Sequence, residues 1–126
     1  MAARKLIPAP RRVLLVEDNT IIALDAEESL YGLGVGAVAV VASSDAALAL
    51  IAADPPEFAL LDFNLGSETS ETVACALVDR GIPFAFATGY AEIAGGIGPV
   101  TEAVAILHKP YTRDDIAAAL CPAAEV

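Results

Sequence analysis

The sequence is poor in basic residues, cysteine and aromatic side chains. It has seven Lys and Arg against 17 Asp and Glu, two Cys and no Trp among 126 residues. Four of the basic residues lie within the first 12 positions, so the rest of the chain is strongly acidic. Because phosphate binding depends on clustered Lys and Arg, we expect no nucleic-acid partner. The carboxylates favour a cation site or basic protein partners, although solubility is the simpler explanation for most of them.

The sequence also lacks an apolar run long enough to cross a membrane. Residues 29–44 form its longest charge-free stretch, which contains three glycines and is shorter than the about 18–20 residues that span a bilayer. The basic N-terminus has no apolar centre of the kind found in secretory signals. We therefore expect a cytoplasmic protein with no membrane partner. Cys75 and Cys121 have no metal-ligand or disulfide spacing, and we expect both to be reduced, buried thiols.

The length and the hydrophobic content fit one folded domain. Hydrophobic residues make up 56% of the chain, which excludes intrinsic disorder. Residues 1–11 contain two prolines and three basic residues, and we expect them to form a disordered basic arm. The domain is predicted to span residues 12–122, followed by a short tail at 123–126.

Short apolar runs alternate with helix-like stretches along this domain. Strands are predicted at residues 12–17, 35–42, 57–62, 82–87 and 103–107. Helices are predicted at residues 19–32, 43–53, 70–80 and 112–120, with a weak, glycine-rich one at 90–97. Because the apolar runs are nearly continuous, we expect an α/β fold with a five-stranded parallel sheet covered on both faces. The order 2-1-3-4-5 is the common doubly wound arrangement for five strands.

Two helices carry more detailed predictions. In the first, Asn19 or Thr20 is the expected N-cap. The apolar side of that helix is predicted to consist of Ile21, Ile22, Leu24 and Leu30. In the last, Thr112 and Asp115 have the spacing of a capping box.

Polar side chains lie at the carboxyl ends of four of the predicted strands. They are Glu17 and Asp18, then Asp62, Thr88 and Lys109. In a doubly wound sheet these ends meet at the functional edge. Carboxylates that lie so close repel one another unless a hard cation is bound between them, and their oxygens suit Mg²⁺.

The lysine and the threonine indicate an anionic ligand with several oxygens. A phosphoryl group fits, because Lys109 balances its charge and the Thr88 hydroxyl donates a hydrogen bond. Serine, cysteine and histidine are all missing from the centre of this constellation. A carboxylate is then the natural nucleophile, and the product is an aspartyl phosphate.

Four segments together resemble the receiver domains of response regulators, the CheY-like family with a flavodoxin-like fold. These segments, spread over residues 13–112, are VLLVEDN, FALLDFNLG, FATGY and AILHKPY. The resemblance implies that Asp62 accepts the phosphoryl group and that Thr88 and Lys109 contact it. It also implies a Mg²⁺ site formed by Asp62, Asp18, the backbone carbonyl of Asn64 and, mostly through water, Glu17.

The sequence departs from the receiver pattern at three positions. Ile106 replaces the usual aromatic switch residue, Leu65–Gly66 replaces Leu/Met-Pro, and Gly89 replaces Ala. The segment PFAFATGY and the missing aromatic resemble the FAT GUY subgroup, which are often stand-alone receivers that work with histidine kinases of the HWE type. Without the aromatic ring, we expect the signal to pass through the glycine-rich residues 90–99, the least ordered helix. The family further implies a cis peptide between Lys109 and Pro110.

The resulting hypothesis is a single-domain response regulator of a two-component phosphorelay. It receives the phosphoryl group from a sensor histidine kinase or a phosphotransfer protein and binds a downstream protein partner. It is not expected to be an enzyme beyond slow self-dephosphorylation. A phosphate sink and a non-phosphorylated scaffold stay open as alternatives. A small phosphohydrolase is less favoured because Asn64 stands where such an enzyme has a second acid, and flavin binding lacks a Ser/Thr-rich phosphate loop.

Overall fold

The computed structural model describes residues 10–88 and 105–120. The strands are β1 (Arg12–Val16), β2 (Ala37–Val41), β3 (Phe58–Asp62), β4 (Phe84–Thr88) and β5 (Ala105–His108). The helices within the described ranges are α1 (Thr20–Gly32), α2 (Ser44–Ala53), α3 (Glu71–Arg80) and α4 (Arg113–Leu120). The predicted arm, the C-terminal tail, Cys121 and the predicted helix at 90–97 lie wholly or largely outside these residues.

The five strands form one parallel sheet in the order β2-β1-β3-β4-β5, as predicted. The chain places β2 on one side of β1 and then adds β3, β4 and β5 on the other side, so the order of strand addition reverses between β1 and β3. The carboxyl ends of these two neighbouring strands therefore flank the switch point, where doubly wound sheets bind ligands.

Apolar side chains pack on both faces of the sheet. In β1, Val13 and Leu15 belong to the core under α1 and α4, whereas Leu14 and Val16 belong to the core under α2 and α3. Strands buried on both faces explain why the apolar runs in the sequence are continuous rather than alternating. None of the described helices combines the length and the apolar character of a membrane span.

Local helix signals in the sequence are confirmed. Asn19 caps α1 by accepting hydrogen bonds from the amides of Ile21 and Ile22. At α4, the Thr112 amide donates to Asp115 Oδ2 at 2.9 Å, and the Asp115 amide donates to Thr112 Oγ1 at 3.2 Å. The predicted capping box is therefore present, with Asp in the place of Glu.

The predicted apolar face of α1 is wrong in part. Ile21 and Leu24 are 79% and 60% exposed, whereas Leu30 is buried together with the small residues Ala23 and Ala26. Alanines on the buried side let the helix lie close to the sheet, which turns the larger side chains outward. Cys75 on α3 is likewise exposed, not buried as expected.

Candidate functional site

Three carboxylates converge at the switch point. Asp62 ends β3, and Glu17 and Asp18 follow β1. One carboxylate oxygen from each residue lies within 4.8 Å of the others. Glu17 and Asp62 are only 3% and 4% exposed, whereas Asp18 is exposed. The Glu17 carboxylate is held by the Asn19 amide, which donates to Oε2 at 3.2 Å.

Lys109 reaches this cluster from the end of β5. Its Nζ lies 2.9 Å from Asp62 Oδ1 and 3.4 Å from Glu17 Oε1. The Lys109 amide donates to the Thr88 carbonyl at 2.9 Å, which joins the ends of β4 and β5. The Lys109–Pro110 peptide is cis, as predicted.

The environment of Asp62 makes its ionisation costly. Burial, followed by the hydrogen bond and the charge of Glu17, raises the pKa of Asp62 from 3.8 to about 7, although Lys109 opposes the rise. Burial alone would lower the pKa of Lys109, but its hydrogen bond with Asp62 and the two carboxylate charges outweigh that effect and raise the pKa. A divalent cation among the carboxylates would favour the ionised form of Asp62.

Thr88 lies at the same edge of the sheet. It follows Ala87, the β4 residue paired with Asp62, and it is 1% exposed. Its Oγ1 has no hydrogen-bond partner among the described residues. Buried hydroxyls are ordinarily paired, so this oxygen fits a role as a donor to a ligand.

The loop after Asp62 brings Asn64 to the site. Asn64 Oδ1 accepts a hydrogen bond from the Gly66 amide at 2.9 Å. Gly66 has a φ of +87°, and a Cβ there would lie 3.6 Å from Asp18 Oδ2. Proline, the residue of the receiver pattern at this position, cannot adopt this left-handed backbone, whereas glycine can.

A cleft of about 350 Å³ contains most of the predicted site. Its lining includes five of the six predicted site residues, together with three others: Glu17, Asp18, Asp62, Asn64, Lys109, Asn19, Ile22 and Gly66. Thr88 is not part of that lining. Asn19, Ile22 and Gly66 were missed as cleft residues, because the sequence indicated only a helix cap, a core side chain and a loop glycine at these positions.

The donor set fits Mg²⁺. Three carboxylates within 4.8 Å of one another supply hard oxygen ligands on one side of the cleft. Glu17 Oε1 is buried and lies 3.4 Å from Lys109 Nζ, a long contact that leaves this oxygen with capacity for a cation or its water. Calcium-like cages need more protein oxygens, whereas Mg²⁺ keeps several waters and needs few protein ligands.

Two neighbouring residues behave as packing or surface residues. Tyr111 is half-buried and packs on the core under α1 and α4, as expected. Burial and the negative charges of Glu17, Asp62 and Asp25 raise the pKa of the Tyr111 hydroxyl above its usual value, so the hydroxyl stays protonated. His108 is exposed, as expected for a residue without a role at the site.

Several solved structures are similar to this chain. SdrG from Sphingomonas melonis Fr1 is 35% identical, with a TM-score of 0.75, and the match covers 96% of this chain and 97% of that chain. The signal receiver domain of a modulated diguanylate cyclase from Desulfovibrio desulfuricans G20 is 25% identical (TM-score 0.76; 87% and 89% covered). The N-terminal signal receiver domain of a two-component system response regulator from Bacteroides fragilis has the same fold at 22% identity (TM-score 0.75; 90% and 95% covered). No family model and no curated protein matches the sequence.

The matches extend over nearly the whole chain. The similar structures include receiver domains, and the sheet order agrees with the order that the receiver resemblance implies. Three acidic residues meet at the switch point of that sheet. The chain therefore belongs to the receiver-domain family of response regulators.

Proposed function

We propose that this protein is the phosphoacceptor of a two-component phosphorelay, with Asp62 as the phosphorylation site. The observation that carries the proposal is the position of Asp62. Its carboxylate is buried at the switch point, 2.9 Å from Lys109 Nζ and beside two further carboxylates. An acid in that position can be nucleophile and metal ligand together.

The transfer begins when a phosphohistidine enters the cleft. An ionised Asp62 oxygen attacks phosphorus, the P–N bond breaks, and the imidazole leaves with the electron pair of that bond. Lys109 balances the charge on the phosphoryl oxygens, and Thr88 Oγ1 donates a hydrogen bond to one of them. Glu17, Asp18, Asp62 and the Asn64 carbonyl would hold Mg²⁺, which when bound neutralises the carboxylates and the phosphoryl oxygens.

Slow turnover fits the same residues. Efficient hydrolysis of the aspartyl phosphate needs a general base that activates water. Asn64 occupies the position two residues after Asp62, and an amide does not take up a proton at neutral pH. The phosphoryl group is then retained long enough to act as a signal, and the protein is not a phosphohydrolase.

The partners and the setting belong to the proposal as well. The donor is a sensor histidine kinase, of the HWE type if the chain is a FAT GUY receiver, or a phosphotransfer protein. The segment PFAFATGY and the exposed Ile106 in place of an aromatic residue support that subgroup. A stand-alone, cytoplasmic role with a downstream protein partner is part of the same proposal.

Phosphorylation by a small donor tests the site directly. The native chain, incubated with acetyl phosphate and Mg²⁺, should gain one phosphoryl group by intact-mass spectrometry. Asp62→Asn should gain none, whereas Asp79→Asn, which alters an exposed acid on α3, should behave like the native chain. An equal yield in Asp62→Asn would overturn the assignment.

A further inference from the structure

The loop between β3 and α3 is fastened to the first turn of α2. The Ser44 amide donates to Glu68 Oε2 at 3.1 Å, and Ser44 Oγ donates to the Thr69 carbonyl at 3.2 Å. Ser44 is buried, and it is the first residue of α2. A helix leaves its first amides without backbone partners, so a carboxylate there is bound by both a hydrogen bond and the helix dipole.

The same loop is a small hairpin with its own internal bonds. Asn64 and Thr69 pair across it in an antiparallel bridge, and the Leu65 amide donates to the Glu68 carbonyl at 2.8 Å. Glu68 therefore connects at its side chain to α2 and at its backbone to Leu65, the residue that follows Asn64. A displacement of Glu68 would therefore shift Asn64, through the hydrogen bond to Leu65 and the bridge between Thr69 and Asn64.

This connection matters because the backbone of the loop is otherwise free to adopt several conformations. Gly66 is exposed and has a positive φ, and glycine restricts the backbone least of all residues. Of the loop side chains near it, Leu65 is buried in the core under α2 and α3. Leu65 anchors the loop in this core, and the two hydrogen bonds to Ser44 fasten its far side to α2.

We propose that Glu68 is a positioning residue for the metal site, acting through the Ser44 amide. By holding the hairpin against α2, it keeps the Asn64 carbonyl and Gly66 in place beside Asp18. This inference rests on the proposed metal site. It predicts that the affinity for Mg²⁺ depends on a hydrogen bond at the start of α2.

Three variants separate the hydrogen bond from the charge. Glu68→Ala removes both, and Glu68→Gln removes the charge but keeps an acceptor for the Ser44 amide. Ser44→Pro removes the amide donor, and with it the hydroxyl bond to the Thr69 carbonyl, without changing any charge. Proline is well tolerated at the first position of a helix, and Ser43, with φ −142° and ψ 160°, has the extended backbone that precedes proline.

Isothermal titration with Mg²⁺ alone is the measurement. We expect the dissociation constant to rise about three- to tenfold in Glu68→Ala and Ser44→Pro, and by less than about twofold in Glu68→Gln. Glu28→Ala, which removes an exposed carboxylate from α1, should match the native protein. The double variant Glu68→Ala/Ser44→Pro should be no weaker than Ser44→Pro, because Ser44→Pro already removes the bond to Glu68 together with the bond to Thr69.

The outcomes distinguish this inference from the proposed function. Equal weakening in Glu68→Gln and Glu68→Ala, with native affinity in Ser44→Pro, would mean that only charge matters and would overturn the positioning role alone. If the native chain binds no Mg²⁺, the proposed metal site fails and the inference fails with it. Circular dichroism of each variant without metal verifies that the fold is retained. Ser44→Ala removes only the bond to Thr69 and is the control for the hydroxyl that Ser44→Pro also loses. If Ser44→Pro does not fold, the comparison of Glu68→Ala with Glu68→Gln decides between the hydrogen bond and the charge.

Discussion

Asp62 is held between opposing effects at the scale of single residues. Burial and Glu17 favour its neutral form, whereas Lys109 favours the carboxylate, and the balance places its pKa at about 7. Near neutral pH the protonated and the ionised forms of Asp62 are therefore both populated, and a bound cation would favour the ionised form. In the proposed transfer Asp62 has to be ionised, so Lys109 and a bound cation have to offset the effects of burial and of Glu17.

The raised pKa of Asp62 predicts a pH-dependent cost to stability. The folded pKa lies above the unfolded value of 3.8, so the contribution of this group is favourable at low pH and is lost as the pH rises to about 7 and beyond. Without divalent cations, Asp62→Asn should stabilise the fold by on the order of 2–3 kcal/mol more at pH 8 than at pH 5. Urea unfolding at both pH values is the measurement.

The control for this prediction is Asp79→Asn, on the exposed side of α3. It removes the same charge from the surface, so its effect on the free energy of unfolding should differ little between the two pH values. An equal effect of Asp62→Asn at pH 5 and pH 8 would contradict a buried, proton-sharing carboxyl at this position.

Glu17 and Asp18 should contribute unequally to metal binding. The Glu17 carboxylate is buried and engaged by the Asn19 amide and by Lys109, whereas the Asp18 carboxylate is exposed at the cleft. A direct ligand is worth more than one acting through water, so Asp18→Ala should raise the dissociation constant for Mg²⁺ more than Glu17→Ala. A metal titration measures both, and the reverse order would exchange the roles of the two acids.

At the scale of helices and strands, predictability follows the range of the interactions. The caps at Asn19 and Thr112 were predictable because the bonding groups lie within three residues of each other in sequence. Strand order and the strand-end acids were predictable because a parallel sheet has few arrangements and one functional edge. The exposed side of α1 and the hydrogen bond from the Ser44 amide to Glu68 were not predictable, since both depend on how segments distant in sequence pack.

The orientation of α1 leads to a matched pair of substitutions. Leu24 is 60% exposed and Leu30 is fully buried on the same helix. Leu30→Ala should therefore lower the free energy of unfolding by about 2–5 kcal/mol, and Leu24→Ala by less than about 0.5 kcal/mol. Helix propensity changes equally in both, so chemical unfolding isolates burial. Similar losses from the two substitutions would show that α1 is rotated about its axis.

At the scale of the whole molecule, the acidic edge links metal binding to folding. The three carboxylates come from two segments that only the folded sheet brings together. A cation bound there stabilises the native state alone, by RT ln(1 + [L]/Kd), or about 2.7 kcal/mol at a concentration one hundred times Kd. The proton on Asp62 competes with that cation for the same oxygens.

Stabilisation by Mg²⁺ should consequently be larger at pH 8 than at pH 5. At pH 8 Asp62 is largely ionised before metal binds, whereas at pH 5 a proton has to be displaced first, which reduces the apparent affinity. Thermal unfolding with and without Mg²⁺ at the two pH values measures the difference. In Asp18→Ala the increase in Tm on adding Mg²⁺ should be mostly lost at both pH values, because a carboxylate ligand is missing. Asp18 is exposed, so its removal leaves the buried pair of Glu17 and Asp62 intact. An equal Mg²⁺ effect at pH 5 and pH 8 would place the cation away from Asp62.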